Sequence, residues 1–330
     1  MSETPPADGR ATGWWTIAGL VAGWLGVAIG LLGVLLPAVS LTWQPLIVLA
    51  AFAGYLGLAG VIGGALLALQ RNWIGVGVAG LVVLASIGWQ LPLLVGSSVA
   101  TKPKAPKLVV LQANLKIGAA DPAAITALVR SNGVDVLTVE ELTPAALSAL
   151  TAAGLEALLP YRLAVPFPGG GGTGIWSRYP LTEQTRHDDF SFELLSARIT
   201  PPGADDVMIW AVHLLPPWPY DAKVWAAETR RLHGLIAEQA RSHRTVIVAG
   251  DFNATWTNRQ FRQLMEPSYS DAAERTGDGW RTTYPTDRFF PPLLTLDHVL
   301  LHGADPTSVR TVDLPGSDHR GLLVNLRLDG

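Results

Sequence analysis

The chain has 330 residues with 24 Lys+Arg and 27 Asp+Glu, a formal charge of -3 and a hydrophobic fraction of 49%. Cysteine is absent, which excludes disulfides, thiolate nucleophiles, zinc-thiolate sites and iron–sulfur clusters. Arg71 is the one charged residue between Ala11 and Thr101, and no histidine falls there, so a single water-soluble domain is excluded as well.

After a tail over residues 1–13 come three apolar runs, residues 14–36, 46–69 and 73–95. As helices, each is long enough to cross a hydrocarbon core about 30 Å thick, and three transmembrane helices are predicted. Pro37 and Pro45 bracket the first connection, Gln70, Arg71 and Asn72 form the second, and Trp14, Trp15, Trp43, Trp73 and Trp89 fall near the ends, at headgroup level. A cleaved signal peptide would explain one run and not three. Gly19, Gly23, Gly26, Gly30 and Gly33 suit close helix packing, and the runs hold no ionisable group for an ion path, so an anchor is expected and not a transporter. Because nothing in the runs can donate, accept or ligate, they are expected to take no part in the chemical step.

Residues 96–107, with two Ser, two Pro and three Lys, read as a linker. Three spans place the amino terminus and the remaining domain on opposite faces. Arg10 and Arg71 on one side against Lys102, Lys104 and Lys107 on the other lean by a single residue toward a cytoplasmic domain, which does not decide the topology.

Residues 108–330 are enough for one domain with a full core. With the three-lysine end of the linker they hold all the remaining charges, 22 basic and 25 acidic, so no general attraction to a polyanion is expected. Short β-branched runs at 108–112, 134–139, 174–176, 197–200, 207–212, 245–249, 297–301 and 322–328 read as strands, and 121–131 and 222–241 carry helical spacing. The class is α/β or α+β with sheets at the centre. Polar residues recur at the strand ends: Asn114, Glu141, His213, Asp251 with Asn253, Asp297, and Asp318 with His319. Singly, each reads as a turn or a cap; together they are what one pocket at a sheet edge would need.

The segments Gln112-Ala113-Asn114-Leu115, Asp135 to Glu141, Ser177-Arg178-Tyr179-Pro180, Val212-His213-Leu214, Gly250-Asp251-Phe252-Asn253, Leu296-Asp297-His298-Val299 and Ser317-Asp318-His319 follow in an order that resembles the endonuclease/exonuclease/phosphatase superfamily. The resemblance implies an α/β four-layer β-sandwich, two sheets face to face with helices outside, and metal-dependent cleavage of phosphoester bonds. The three amino-terminal runs, the lysine-containing linker and the stretch Thr283 to Leu293 look like the bacterial membrane-anchored branch that includes the vancomycin and teicoplanin resistance-associated proteins. That branch implies a multi-pass protein of the bacterial cell membrane with an extracytoplasmic carboxyl-terminal domain. Two departures stand out: Glu140 occupies the place of a common glutamine, and His298 that of a frequent tyrosine. Glu141 is preferred as the metal ligand, with Glu140 either a neighbour of the site or turned to the sheet's other face.

Phosphoester cleavage requires an oxygen nucleophile, stabilisation of charge on phosphoryl oxygens and departure of an alkoxide. Mg²⁺, with Mn²⁺ as a substitute, favours carboxylate and amide oxygens, and Asn114, Glu141 and Asp318 are the expected metal set. The expected catalytic set is Asp251 to orient or deprotonate water, Asn253 and His213 on phosphate or leaving group, and His319 held by Asp297 for proton transfer. Gly169 to Gly174 is not followed by Gly-Lys-Ser/Thr, so it reads as a loop near the pocket's mouth and not a phosphate cradle. Arg178 reads as a surface residue. His187, Asp188 and Asp189 read as a solvated connection. Tethering favours a lipid-linked phosphate or pyrophosphate substrate in the bilayer. A nuclease on DNA or RNA is the alternative, and a non-catalytic binding protein on the same fold is a third.

Overall fold

The computed structural model describes residues 13–97 and 105–328, so most of the predicted tail, with Arg10, and the linker lysines Lys102 and Lys104 lie outside the described residues. The chain divides into two compact units, residues 1–39 with 52–91, and residues 40–51 with 92–330.

In the first unit α1 (Gly13–Leu35) packs on a helix over Ala53–Leu69 at glycines. A Cβ on Gly26 would sit 2.7 Å from the Ala59 carbonyl oxygen, and one on Gly63 would sit 2.5 Å from that of Gly23. Small residues thus set the helix separation, as expected for helices that pack in lipid. The described residues hold two helices long and apolar enough to cross a membrane, Gly13–Ala38 and Trp73–Val95, or three if a bent pair counts as one span. That pair corrects the predicted helix over 46–69. The run is broken at Phe52 into α2 (Gln44–Ala51) and α3 (Ala53–Leu69), and α2 belongs to the second unit. The last long apolar helix is α4 (Trp73–Val95).

The second unit is built on two six-stranded sheets. One has the order β11-β12-β1-β2-β4-β3, with β1 (Lys107–Asn114), β2 (Val136–Glu140), β3 (Tyr161–Val165), β4 (Thr173–Ser177), β11 (Ala304–Asp313) and β12 (Arg320–Leu328). The other has the order β5-β6-β7-β8-β10-β9, with β5 (Thr182–His187), β6 (Leu194–Ile199), β7 (Val207–His213), β8 (Thr245–Asp251), β9 (Ser270–Asp271) and β10 (Asp297–His302). Period-2 alternation explains the layering. Leu108 and Val110 of β1 face Ile247 and Ala249 of β8 in a core between the sheets. Leu111 and Ala113 turn the other way, onto α5 (Pro122–Asn132) and α6 (Pro144–Ala152). Val246 and Val248 likewise pack with α7 (Ala222–Ser242) and α8 (Arg259–Gln263). A short α9 (Ala272–Thr276) follows β9. The expected sandwich of two sheets with helices outside is the fold of this unit.

Each sheet contains one parallel pair joined through a helix, β1 with β2 across α5 and β7 with β8 across α7. Parallel strands end at the same edge, so residues just after them converge. The antiparallel neighbours β10 and β12 begin at that edge. Register makes this concrete: Asn114 lies opposite Glu140, while Asp251 lies opposite both His213 and Asp297. Gly250 is required there, because a Cβ on it would come within 1.9 Å of the Val212 carbonyl oxygen.

Candidate active site

Asp251 sits at the centre of the converging strand ends. Its Oδ2 accepts from Asn114 Nδ2 at 3.0 Å and lies 3.9 Å from His213 Nε2 and 3.7 Å from His319 Nε2. Its Oδ1 accepts from the Asn253 backbone N–H at 2.8 Å. Burial, and then the charge of Asp297, push the Asp251 carboxyl up to about 7.

His319 Nδ1 donates to Asp297 Oδ2 at 2.8 Å. Burial works against its charge, but Asp297 and Asp251 outweigh that and raise the imidazole to about 10. Burial alone would raise Asp297; the His319 charge holds it low. His213 differs. Burial and the neighbouring His319 charge lower it to about 3, so it is neutral, with Phe192 packed on its ring at 4.6 Å.

Asn114 Nδ2 also donates to Glu141 Oε1 at 3.3 Å, while Asn114 Oδ1 accepts from the Lys116 backbone N–H at 2.9 Å. Asn114 is therefore the donor that spans Asp251 and Glu141. The Ile117 backbone N–H donates to Glu141 Oε2 at 2.6 Å. Lys116, Ile117 and Glu141 all have positive φ, 48°, 51° and 57°, and for a β-branched residue such as Ile117 this is an outlier that costs on the order of 1–3 kcal/mol. The strained turn presents the Ile117 N–H to Glu141, and this bond with that from Asn114 holds the carboxylate in place. Burial raises the Glu141 carboxyl, its hydrogen bonds offset part of that, and the charge of half-buried Asp318 adds to it. Asp318 is held by a turn in which Ser317 Oγ donates to Asn114 O at 2.8 Å and accepts from the His319 N–H at 3.0 Å.

Glu140 faces into the site and not to the sheet's other face. Gln112 Nε2 donates to Glu140 Oε2 and to Asp297 Oδ1, both at 2.7 Å, and burial and Asp297 raise the Glu140 carboxyl well above its ordinary value. Gln112 is the residue that sequence reasoning passed over. Its signal was spacing: two residues before Asn114, it shares that residue's face of β1. His298 also has a defined role. Its Nδ1 donates to Asp271 at 2.7 Å and its Nε2 to Ala254 O at 3.0 Å.

Residues kept out of the site stay out of it. Arg178 bonds Asp135 and Val134 O, and Asp189 pairs with Arg231; His187 is not in a solvated connection but ends β5, half-buried, paired with Ser196 and stacked on Trp210. The glycine run borders the site, where Gly170 faces Glu141 and a Cβ on Gly172 would meet the Leu142 carbonyl oxygen at 2.0 Å.

All eight expected residues lie at one edge of the two sheets. Among the described residues, Asp251, Asp297 and His319 bring one possible ligand atom each within 4.8 Å of the others. The wider donor set suits a divalent cation: Glu141, Asp251, Asp297 and Asp318 all act on His319 as neighbouring charges, and burial first and neighbouring carboxylates second raise Glu141 and Asp251, both of which a cation would offset.

Solved structures share this fold. TDP2 from D. rerio, complexed with a single-strand DNA product, has 19% identity and a TM-score of 0.56, covering 67% of this chain and 99% of its own. Sphingomyelinase C from Streptomyces griseocarneus has 18% identity and a TM-score of 0.51, covering 67% and 99%. An endonuclease/exonuclease/phosphatase family protein from Bacteroides thetaiotaomicron has 14% identity and a TM-score of 0.52, covering 68% and 99%. No curated protein matches the chain significantly. Enzymes of the superfamily are phosphoester hydrolases and generally depend on a divalent metal. The family model spans residues 111–319, from the first central strand to His319, and the chain belongs to the Endonuclease/Exonuclease/phosphatase family.

Proposed function

We propose that the protein is a membrane-tethered, Mg²⁺-dependent phosphoesterase that hydrolyses a phosphoester or pyrophosphate of a lipid-linked substrate. The observation that carries this reading is Asp251 Oδ2 framed by His213, His319 and the Asn114 amide at a carboxylate-rich edge. Glu141 and Asp318, with Asn114 beside them, would hold the ion, which when bound supplies the Lewis acid that neutralises phosphoryl charge. Asp251, with its carboxyl raised to about 7, accepts a proton from the attacking water. His319, kept cationic and oriented by Asp297, offers an N–H where negative charge develops. Neutral His213 and the Asn253 side chain donate hydrogen bonds to phosphate or leaving-group oxygen. Asn253 has one N–H committed to Leu214 O at 2.8 Å and keeps the other.

The lipid part rests on the apolar helices and on Ile117, Phe167 and Phe289, exposed side chains on segments that flank the site. Confinement of enzyme and substrate to one layer raises their effective concentration. A nuclease would need a basic track, and Arg231 and Arg244 are instead paired with Asp189 and Asp205. The test uses the whole protein in detergent micelles with Mg²⁺, against a polyprenyl pyrophosphate, phospholipids and a nucleic acid. Hydrolysis of a lipid-linked substrate, lost in EDTA and diluted by added detergent, is expected. DNA or RNA cleavage without lipid hydrolysis would replace this reading with the nuclease. The domain lies outside the cytoplasm in this reading, so a carboxyl-terminal alkaline phosphatase fusion is expected to be active in cells.

A further inference from the structure

Residues 40–51 carry no charge and begin what reads as a span, yet they fold with the phosphoesterase unit. An α-helix leaves its last carbonyls without partners inside the helix. Around α2, domain side chains meet its backbone oxygens: Asn258 Nδ2 donates to Ile47 O at 3.1 Å, and the Thr255 and Thr257 hydroxyls each donate to Ala51 O at 3.4 Å. Gln260 Nε2 donates to Leu41 O just before the helix. In the other direction, Gln44 Nε2 donates to Pro217 O at 2.9 Å and Tyr220 O at 2.8 Å. Ile47 is 2% exposed, in one core with Trp225, Phe252 and Phe261.

The two receiving segments are the ones that leave the catalytic strands. Residues 214–221 follow His213, and residues 252–258 follow Asp251 and contain Asn253. At the site they are joined to each other, Asn253 Nδ2 to Leu214 O at 2.8 Å and the Leu214 N–H to Asp251 O at 3.1 Å. At their far ends α2 joins them again, through Gln44 on the first and through its backbone carbonyls on the second. A loop fixed at both ends holds its functional group within the narrow tolerance that catalysis requires.

We infer that residues 40–51 are a strap that positions His213 and Asn253, with Gln44 as its positioning residue. The amino-terminal region thus has a share in the chemical step, against the expectation that it supplies only a tether. The inference rests on the phosphoesterase reading of the site, and its test separates the two. In the whole protein, Gln44→Glu places a carboxylate against two carbonyl oxygens, whereas Gln44→Lys keeps a donor for both. Gln44 is half-buried, so either charge keeps access to water. With a water-soluble phosphodiester and Mg²⁺, Gln44→Glu is expected to lower kcat on the order of tenfold, with KM and the thermal midpoint nearly unchanged, and Gln44→Lys to restore kcat. Amide hydrogen exchange over residues 214–221 and 252–258 is expected to quicken in Gln44→Glu and to return to the wild-type rate in Gln44→Lys. Wild-type kcat or unaltered exchange in Gln44→Glu would overturn the strap. If the wild-type protein hydrolyses no phosphoester, the functional reading falls, and the exchange experiment still decides whether α2 holds the two loops.

Discussion

The two sheets of the phosphoesterase unit have the same plan and different chemistry. In each, a parallel pair delivers residues to the shared edge. The sheet of β1, β2 and β12 brings Asn114, Glu141 and Asp318, the oxygen-rich set suited to a hard cation. The sheet of β7, β8 and β10 brings Asp251, the proposed base, with His213 and Asn253 as hydrogen-bond donors, and Asp297, which orients His319 from the turn ahead of β12. Neither half is complete alone. Three hydrogen bonds cross between them: Asn114 to Asp251, Gln112 to Asp297, and His319 ahead of β12 to Asp297 on β10. In the proposed reading, a sandwich of two similar half-sites puts the metal set and the base on separate scaffolds, coupled at a seam where His319 meets Asp297.

The largest expected effects test that division. Asp251→Asn removes the proposed base and should lower kcat by roughly 10³-fold, with the Mg²⁺ concentration for half-maximal rate little changed. Glu141→Gln and Asp318→Asn should instead abolish turnover at ordinary Mg²⁺, an effect of several kcal/mol, with partial recovery at high Mg²⁺. Circular dichroism should show all three folded. Equal shifts in Mg²⁺ dependence for Asp251→Asn and Glu141→Gln would mean that the two sheets do not divide the work.

An intermediate effect comes from the seam. Gln112→Leu removes the donor shared by Glu140 and Asp297 and leaves buried carboxyl oxygens without it, a cost of about 1–3 kcal/mol. Denaturant unfolding of the variant should show this loss, and the Asp297–His319 pair should lose orientation, lowering kcat as well. A stable, fully active variant would show that the sheets are aligned without Gln112.

The smallest effect separates the seam from the surroundings of His298. Burial lowers the proton affinity of His298, but Asp271 by charge and hydrogen bond, with Ala254 O, raises it above the ordinary value near 6.5. A group raised by folding adds stability that is complete below its unfolded value and is lost as pH climbs through the folded one. The thermal midpoint of the wild type should therefore exceed that of His298→Gln most below pH 6.5, and the gap should narrow as pH rises above it. A gap that widens with pH would contradict the charged pairing with Asp271.

Most of what the sequence made legible lies in the middle of the sheets. β1, β2, β7, β8, β10 and β12 are buried on both faces and so read as apolar runs, and the polar residues that break those runs are the site itself. The strands that went unread, β3, β5, β9 and β11, are the four sheet edges. Their polar residues, as in Thr182–His187, leave no run to see.

The amino-acid sequence by itself determined the apolar helices, the central strands and the polar residues that close them, because burial and strand-end chemistry are written in local pattern. Only the tertiary structure decided the side to which Glu140 turns, the sharing of Gln112 between two carboxylates and the break at Phe52. No proline marks that break. α2 ends there while its backbone oxygens meet Thr255, Thr257 and Asn258, side chains some 200 positions away in sequence, and hydrogen bonds over that separation leave no periodicity to read.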